Sequence, residues 1–237
     1  MISDVKVVDN FYSNPTDIVK LLSSDYPIFG CGNGKRSVGL QELSPQLYMD
    51  FCNTIYNMHG LNGHDLHVFT YFMEHEYNPI EVFNHNWAHI DGKNQNERTT
   101  ANNYRLVLGG QIFLTPAPDP LANIDICRPR AELGWSLDEL IDRTVNDYTN
   151  PRKELTEGRI TQEQFEQLHD EYHANFETTC TINNAYNRMV SWRAGTLHGA
   201  RQTKLMPKRL TQFFFVQSKV PLNKWPGESD PLVQFYK

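Results

Sequence analysis

The chain has 237 residues, enough for one large domain or a core with a sizeable insertion and too many for a small scaffold held by disulfides or metals. Acidic residues outnumber basic ones by 28 to 22, and the net charge of −6 offers no general attraction to nucleic acid or to an anionic membrane, so neither is expected as a partner. Charged residues at 21% and aromatic residues at 12% describe a chain that can bury a core, which excludes wholesale disorder.

In chain order, a strand-like run at Val5 to Val8 is followed by Ser13-Asn14-Pro15, a capping residue with proline near the first helical position, and by Ile18, Leu21 and Leu22 at helical spacing. A helix is predicted near 15–23. A second is predicted over 44–59, where Tyr48, Phe51, Cys52, Ile55 and Tyr56 fall on one apolar face, so residues 1–65 read as a helical scaffold. From Leu66 the texture turns to runs rich in Val, Ile, Phe, Tyr and Thr: 66–73, 80–91, 104–114, 187–192 and 209–217. They imply an antiparallel β core over 66–217, and the whole chain, 1–237, reads as a single domain.

Between the third and fourth runs an excursion begins at the proline-rich Thr115–Pro120, and residues 118–182 read as a helical insertion. Ser136-Leu137-Asp138-Glu139 and Thr161-Gln162-Glu163-Gln164 have the form of capping boxes, with Phe165, Leu168, Tyr172 and Phe176 as an apolar stripe behind the second. No stretch approaches about 18 consecutive apolar residues, and Met1 to Asn10 lacks the basic and apolar blocks of a signal peptide. Cys31, Cys52, Cys127 and Cys180 are scattered without C-x-x-C spacing, so they are expected to be reduced, in a cytoplasmic protein.

Two groups of residues carry chemistry. His89 and Asp91 lie two apart on a predicted strand, so imidazole and carboxylate share a face, although this pairing arises by chance about once in every two chains of this composition. His198 sits beside the strand 187–192, and 11 residues later Arg209 opens the next strand with Thr211 two further on the same face. That pair suits a dicarboxylate: Arg209 would grip the distal carboxylate and Thr211 would donate to it. Together His89, Asp91 and His198 make two imidazoles and one carboxylate, a set that leaves three coordination positions of Fe(II) open.

Other histidines have plainer readings. His169 and His173 are four apart on a predicted helix, but Glu166, Asp170 and Glu171 around them suggest a solvated face. His85 and His89 are four apart on a strand and too distant to share an ion. The plain reading of the main group is that His89 and Asp91 bond locally, His198 packs in a turn and Arg209 pairs with a surface carboxylate.

The pattern His89-x-Asp91, then His198, then Arg209-x-Thr211 resembles the Fe(II)/2-oxoglutarate-dependent dioxygenases, in particular the prolyl-4-hydroxylase-like group. The resemblance covers roughly 66–217 and implies an α+β, mainly β chain with a double-stranded β-helix core, a jelly roll of cupin type, carrying N-terminal helices and the insertion. It implies Fe(II) at His89, Asp91 and His198, 2-oxoglutarate at Arg209 and Thr211, dioxygen as co-reactant, and hydroxylation of a peptide or small amino-acid-like substrate. The further residue that contacts the cosubstrate is either Tyr104 or Gln111, which point to opposite faces of their strand. The 107-residue gap from Asp91 to His198 is long for this family, and the insertion accounts for it. Trp87 would wall the site if the strand runs straight, and the insertion is expected to act as a lid or substrate-recognition element, or else to pack on the barrel. The alternative class is a non-catalytic cupin-like protein that binds metal, or a purely structural barrel.

Overall fold

The computed structural model describes residues 5–22, 28–31, 34–61, 66–76, 88–91, 105–136, 139–140, 142–143, 151, 153–201, 203, 205 and 208–218. Tyr104, Trp87, His85 and most of the run 80–91 lie outside the described residues. Helix α1 spans Pro15–Leu22, short α2 Leu40–Leu43 and α3 Pro45–His59; Ser44 caps α3 by accepting from the Leu47 N–H at 3.5 Å, with proline at the first position.

A large antiparallel sheet holds β1 (Val5–Val8), β2 (Ile28–Cys31), β3 (Gly34–Ser37), β4 (Leu66–Glu76), β5 (Arg105–Phe113), β8 (Met189–Arg193) and β10 (Lys208–Ser218), in the spatial order β1-β8-β5-β10-β4-β3-β2. A second sheet of three strands is ordered β7 (Phe176–Ile182), β6 (Ile124–Pro129), β9 (His198–Ala200). The strand alternation divides β10 between two faces. Phe214 and Val216 turn outward to the helices, where Phe51 of α3 meets Phe214 edge-on at 5.3 Å within a core that includes Ile18, Leu40, Ile55 and Leu108. Arg209, Thr211 and Phe213 turn inward. Between the sheets, Phe113, Val190 and Trp192 pack against Ile124, Ile126 and Ile182.

The mainly β, jelly-roll architecture is the one expected, but the domain boundaries differ in two places. Residues 1–65 are more than a helical scaffold, because β1, β2 and β3 join the large sheet at its two ends. The stretch 118–182 is not wholly helical either: β6 and β7 are strands of the second sheet, and the helical excursion runs between them, ending in α4 (Gln162–His173). Phe176, counted in the apolar stripe of that helix, is the first residue of β7. These strands earn their place by pairing across long sequence separations, which local alternation does not reveal. Thr161 and Gln164 form the expected capping box on α4.

Among the described residues no helix is long and apolar enough to cross a membrane, and Cys52, Cys127 and Cys180 are free thiols.

At the end of α3, His59 is buried with Nε2 3.0 Å from Ser191 Oγ. Burial, and to a lesser degree Lys6, pushes its pKa down from 6.5 to about 4. The unfolded chain therefore binds this proton first as pH falls. Stability contributed by neutral His59 is complete above pH 6.5 and is lost toward pH 4, at a limiting slope of about 1.4 kcal/mol per pH unit. His59→Gln, which can still bond Ser191 but cannot ionise, is expected to flatten the melting-temperature profile over that range.

Candidate metal centre

His198 lies in β9 between two neighbours. On one side Ile126 of β6 pairs with it; on the other, His89 forms an antiparallel bridge, with N–H to carbonyl distances of 2.7 Å (His89 to His198) and 2.9 Å (His198 to His89). Residues paired in this way project side chains from the same face, and the two imidazole centroids are 4.5 Å apart. Asp91, two residues along, adds its carboxylate: Oδ1 is 3.6 Å from His89 Nε2 and Oδ2 is 3.4 Å from His198 Nε2. One ligand atom from each of the three lies within 4.8 Å of the others. Donors about 2.1 Å from a common ion and mutually at right angles would stand about 3 Å apart, so the three would have to draw closer together to share one ion.

The surroundings fix protons and orientations. His198 Nδ1 lies 3.0 Å from the Thr196 carbonyl, which can only accept, so Nδ1 carries the hydrogen and the Nε2 lone pair faces Asp91. Burial pushes the His198 pKa down to about 4, against the pull of Asp91, and keeps the ring neutral at neutral pH. For Asp91 burial raises the pKa, but His198, His89 and the Trp192 N–H together hold the carboxyl well below the usual carboxylate range. Trp192 of β8 donates from Nε1 to Asp91 Oδ2 at 3.2 Å and lays its ring 4.2 Å from that of His198.

Gly109 of β5, the cross-strand partner of Trp192, leaves room for this arrangement. A Cβ there would lie 3.0 Å from Trp192 Nε1 and 3.1 Å from Asp91 Oδ2. Gly109→Ala is expected to displace the carboxylate and weaken divalent-metal binding by about tenfold or more, measured by calorimetry on protein that still folds.

The same inner face continues from Gly109 to Gln111 on β5. In register, Gln111 faces Phe213 and Phe113 faces Thr211 on β10, with Arg209 beyond. Gln111, Thr211 and Arg209 are 2%, 0% and 4% exposed, yet Gln111 Nε2, Thr211 Oγ1 and Arg209 Nε have no hydrogen-bond partner among the described residues. Among the described residues the guanidinium bonds only the Arg201 carbonyl, at 3.3 Å, and no acidic side chain pairs with it. The reading of Arg209 as a surface ion pair is therefore set aside. Burial lowers its pKa to about 10, which leaves it a cation at neutral pH. His75, opposite it on β4, is pushed down to about 3 by burial and by Arg209, and is neutral. A buried cation with the Thr211 hydroxyl two residues along the same face of its strand suits a carboxylate of a small anion.

The seven expected site residues thus divide clearly. His89, Asp91 and His198 converge, Arg209, Thr211 and Gln111 line the adjoining bed, and Tyr104 lies outside the described residues. Trp192 and Gly109 were missed, although paired glycines inside an apolar strand are a signal of close approach. The helix histidines are not solvated as expected: His169 and His173 stack at 4.2 Å, and His173 Nε2 accepts the Ala88 N–H at 3.2 Å.

No protein-family model and no curated protein matches the sequence. Solved structures do. HygX from Streptomyces hygroscopicus, with nickel, 2-oxoglutarate and hygromycin B bound, is similar with a TM-score of 0.53 at 10% identity, over 100% of this chain and 91% of that one. The epimerase SnoN, in complex with Fe3+, α-ketoglutarate and nogalamycin RO, matches with a TM-score of 0.53 at 15% identity, over 98% of this chain and 89% of that one. The chain has the double-stranded β-helix fold of the iron- and 2-oxoglutarate-dependent oxygenases. At these identities the likeness is one of fold, and what the site does rests on this chain's own residues.

Proposed function

We propose that the protein is an Fe(II)- and 2-oxoglutarate-dependent oxygenase that hydroxylates a peptide or small amino-acid-like substrate. The observation that carries this reading is that the His89, Asp91 and His198 cluster meets the large sheet at Trp192 and Gly109, and that the same face of that sheet carries Gln111, Thr211 and Arg209, three buried residues each with a polar atom that has no partner among the described residues. Among the described residues no acidic side chain compensates the Arg209 guanidinium, and a structural barrel would have no reason to bury it so. The fold shared with HygX and SnoN, whose structures hold nickel or Fe3+ together with 2-oxoglutarate, supports it.

In this reading His89, Asp91 and His198 hold Fe(II), and Arg209 with Thr211 takes the distal carboxylate of 2-oxoglutarate. When loaded, such a centre uses dioxygen to convert 2-oxoglutarate to succinate and carbon dioxide and to place an oxygen atom in a substrate C–H bond. The chain's own contribution is positional and electrostatic. Thr196 holds His198 in the tautomer that presents Nε2, and Trp192 holds Asp91 by one oxygen. Arg209 neutralises the dianion's far end, where its own burial cost is relieved. Phe113, Val190 and Trp192 exclude water between the sheets. We assign the whole chain to one such domain.

Succinate release from 2-oxoglutarate tests this reading. Slow succinate formation is expected with Fe(II) and dioxygen and none with Zn(II). Tight Fe(II) or Zn(II) binding with no succinate under any condition would favour the non-catalytic metal-binding protein instead.

A further inference from the structure

Ala88 immediately precedes His89, and both of its backbone polar groups go to α4: its N–H donates to His173 Nε2 at 3.2 Å, and its carbonyl accepts from Tyr172 Oη at 2.7 Å. Successive residues of an extended strand turn their N–H and C=O to opposite edges. His89 spends its pair on His198, so the Ala88 pair emerges at the edge away from β9. Among the described residues no strand pairs with that edge; two side chains of a helix stand where a neighbouring strand would.

The side chains tell the same story. His89 and Asp91 face the cluster of ligand atoms, whereas Ala88 and Ile90 point the other way into a separate core with Leu140, Phe165, Tyr172 and Phe176. α4 therefore backs the ligand-bearing segment and does not cover its open side, where His89 and Asp91 keep 27% and 20% of their side chains exposed. Tyr172, 5% exposed, packs its ring edge-on against Phe176 at 4.8 Å, and His173 is stacked on His169. Neither group can swing away without vacating a packed position.

We propose that Tyr172 and His173 are positioning residues for the metal centre. By fixing the backbone at Ala88 they set the height and tilt of His89 relative to His198 and Asp91, so α4 serves as a splint for a ligand. The proposal rests on the reading of the three residues as a metal site. A ligand-bearing segment held on one edge alone would let the imidazole wander by more than the few tenths of an ångström that shared coordination tolerates.

The test is Co(II) affinity by calorimetry, without oxygen or substrate, on wild type, Tyr172→Phe, the double variant Tyr172→Phe/His173→Leu, and His173→Gln. Losing both bonds is expected to weaken Co(II) binding by about 10–100-fold, the range for outer partners of metal ligands. His173→Gln, whose side-chain carbonyl can accept the Ala88 N–H, is expected to stay within about threefold of wild type, against a far larger loss without the acceptor. Should the double variant fail to fold, Tyr172→Phe alone keeps its ring in the core and is expected to lose about tenfold. A lowered melting temperature with wild-type Co(II) affinity would overturn the proposal, because the two bonds would then be structural only. Wild-type protein that binds no Co(II) would overturn the metal reading and this role with it, which is a distinguishable result.

Discussion

Arg209→Met is expected to raise the stability of the metal-free protein while abolishing its affinity for 2-oxoglutarate. The native guanidinium is 4% exposed and, among the described residues, bonds one backbone carbonyl and leaves Nε without a partner. Its pKa falls from 12.5 to about 10 by burial, which at about 1.36 kcal/mol per pH unit corresponds to a cost on the order of 3 kcal/mol in the folded state. The sign follows from a base whose folded pKa lies below its unfolded one. The cost is complete at every pH below about 10 and disappears only above the unfolded value, so it is constant across the physiological range. Methionine fills similar volume without the charge, and a gain of about 1–3 kcal/mol is expected in denaturant melts. Cosubstrate affinity should fall by about 100-fold or more, since a charge-assisted contact to a carboxylate is among the stronger polar interactions. A loss of stability instead would mean that the cation is already compensated in the protein as folded.

His198→Ala is the second large effect. His198 supplies one of three candidate ligand atoms, and its ring also packs at a tilt against those of His89, at 4.5 Å, and Trp192, at 4.2 Å. Its removal leaves two of the three candidate ligands, His89 and Asp91. Divalent-metal affinity is expected to fall beyond the about 100-fold limit typical of outer partners, and iron-dependent succinate formation to become undetectable. Calorimetry with Co(II) and an endpoint succinate assay check the two halves separately. Retention of metal affinity in this variant would place the ion elsewhere.

The parts of this site that were legible in the sequence are those with short spacing on a strand. His89 with Asp91 and Arg209 with Thr211 each follow from the two-residue alternation, and His198 from its place at a strand start. What joins these pairs is cross-strand register, such as Gln111 opposite Phe213 and Gly109 opposite Trp192, and register between distant strands cannot be read from one chain. Gln111 stood as one of two alternatives for that reason, and its inward position follows only from the pairing of β5 with β10.

The helix α4 presents the opposite case. Its capping box and apolar stripe were plain, but the charged residues around His169 and His173 pointed to solvent, and the dock on Ala88 bridges 85 residues of sequence. β6 and β7 escaped for a similar reason: Ile124–Pro129 ends in proline, and Phe176 extended the helical pattern by one position too many. Local pattern specifies elements, whereas the second sheet and its site arise from contacts that local pattern does not encode.

Joint binding of Fe(II) and 2-oxoglutarate at this site is measured most directly by anaerobic titration of the metal-free protein with both, followed by visible absorption. A weak metal-to-ligand charge-transfer band is expected that requires both components, saturates at one equivalent of each, and is absent from His198→Ala and Arg209→Met. Iron bound in stoichiometric amount with no band on adding 2-oxoglutarate, or no iron bound at all, would contradict it.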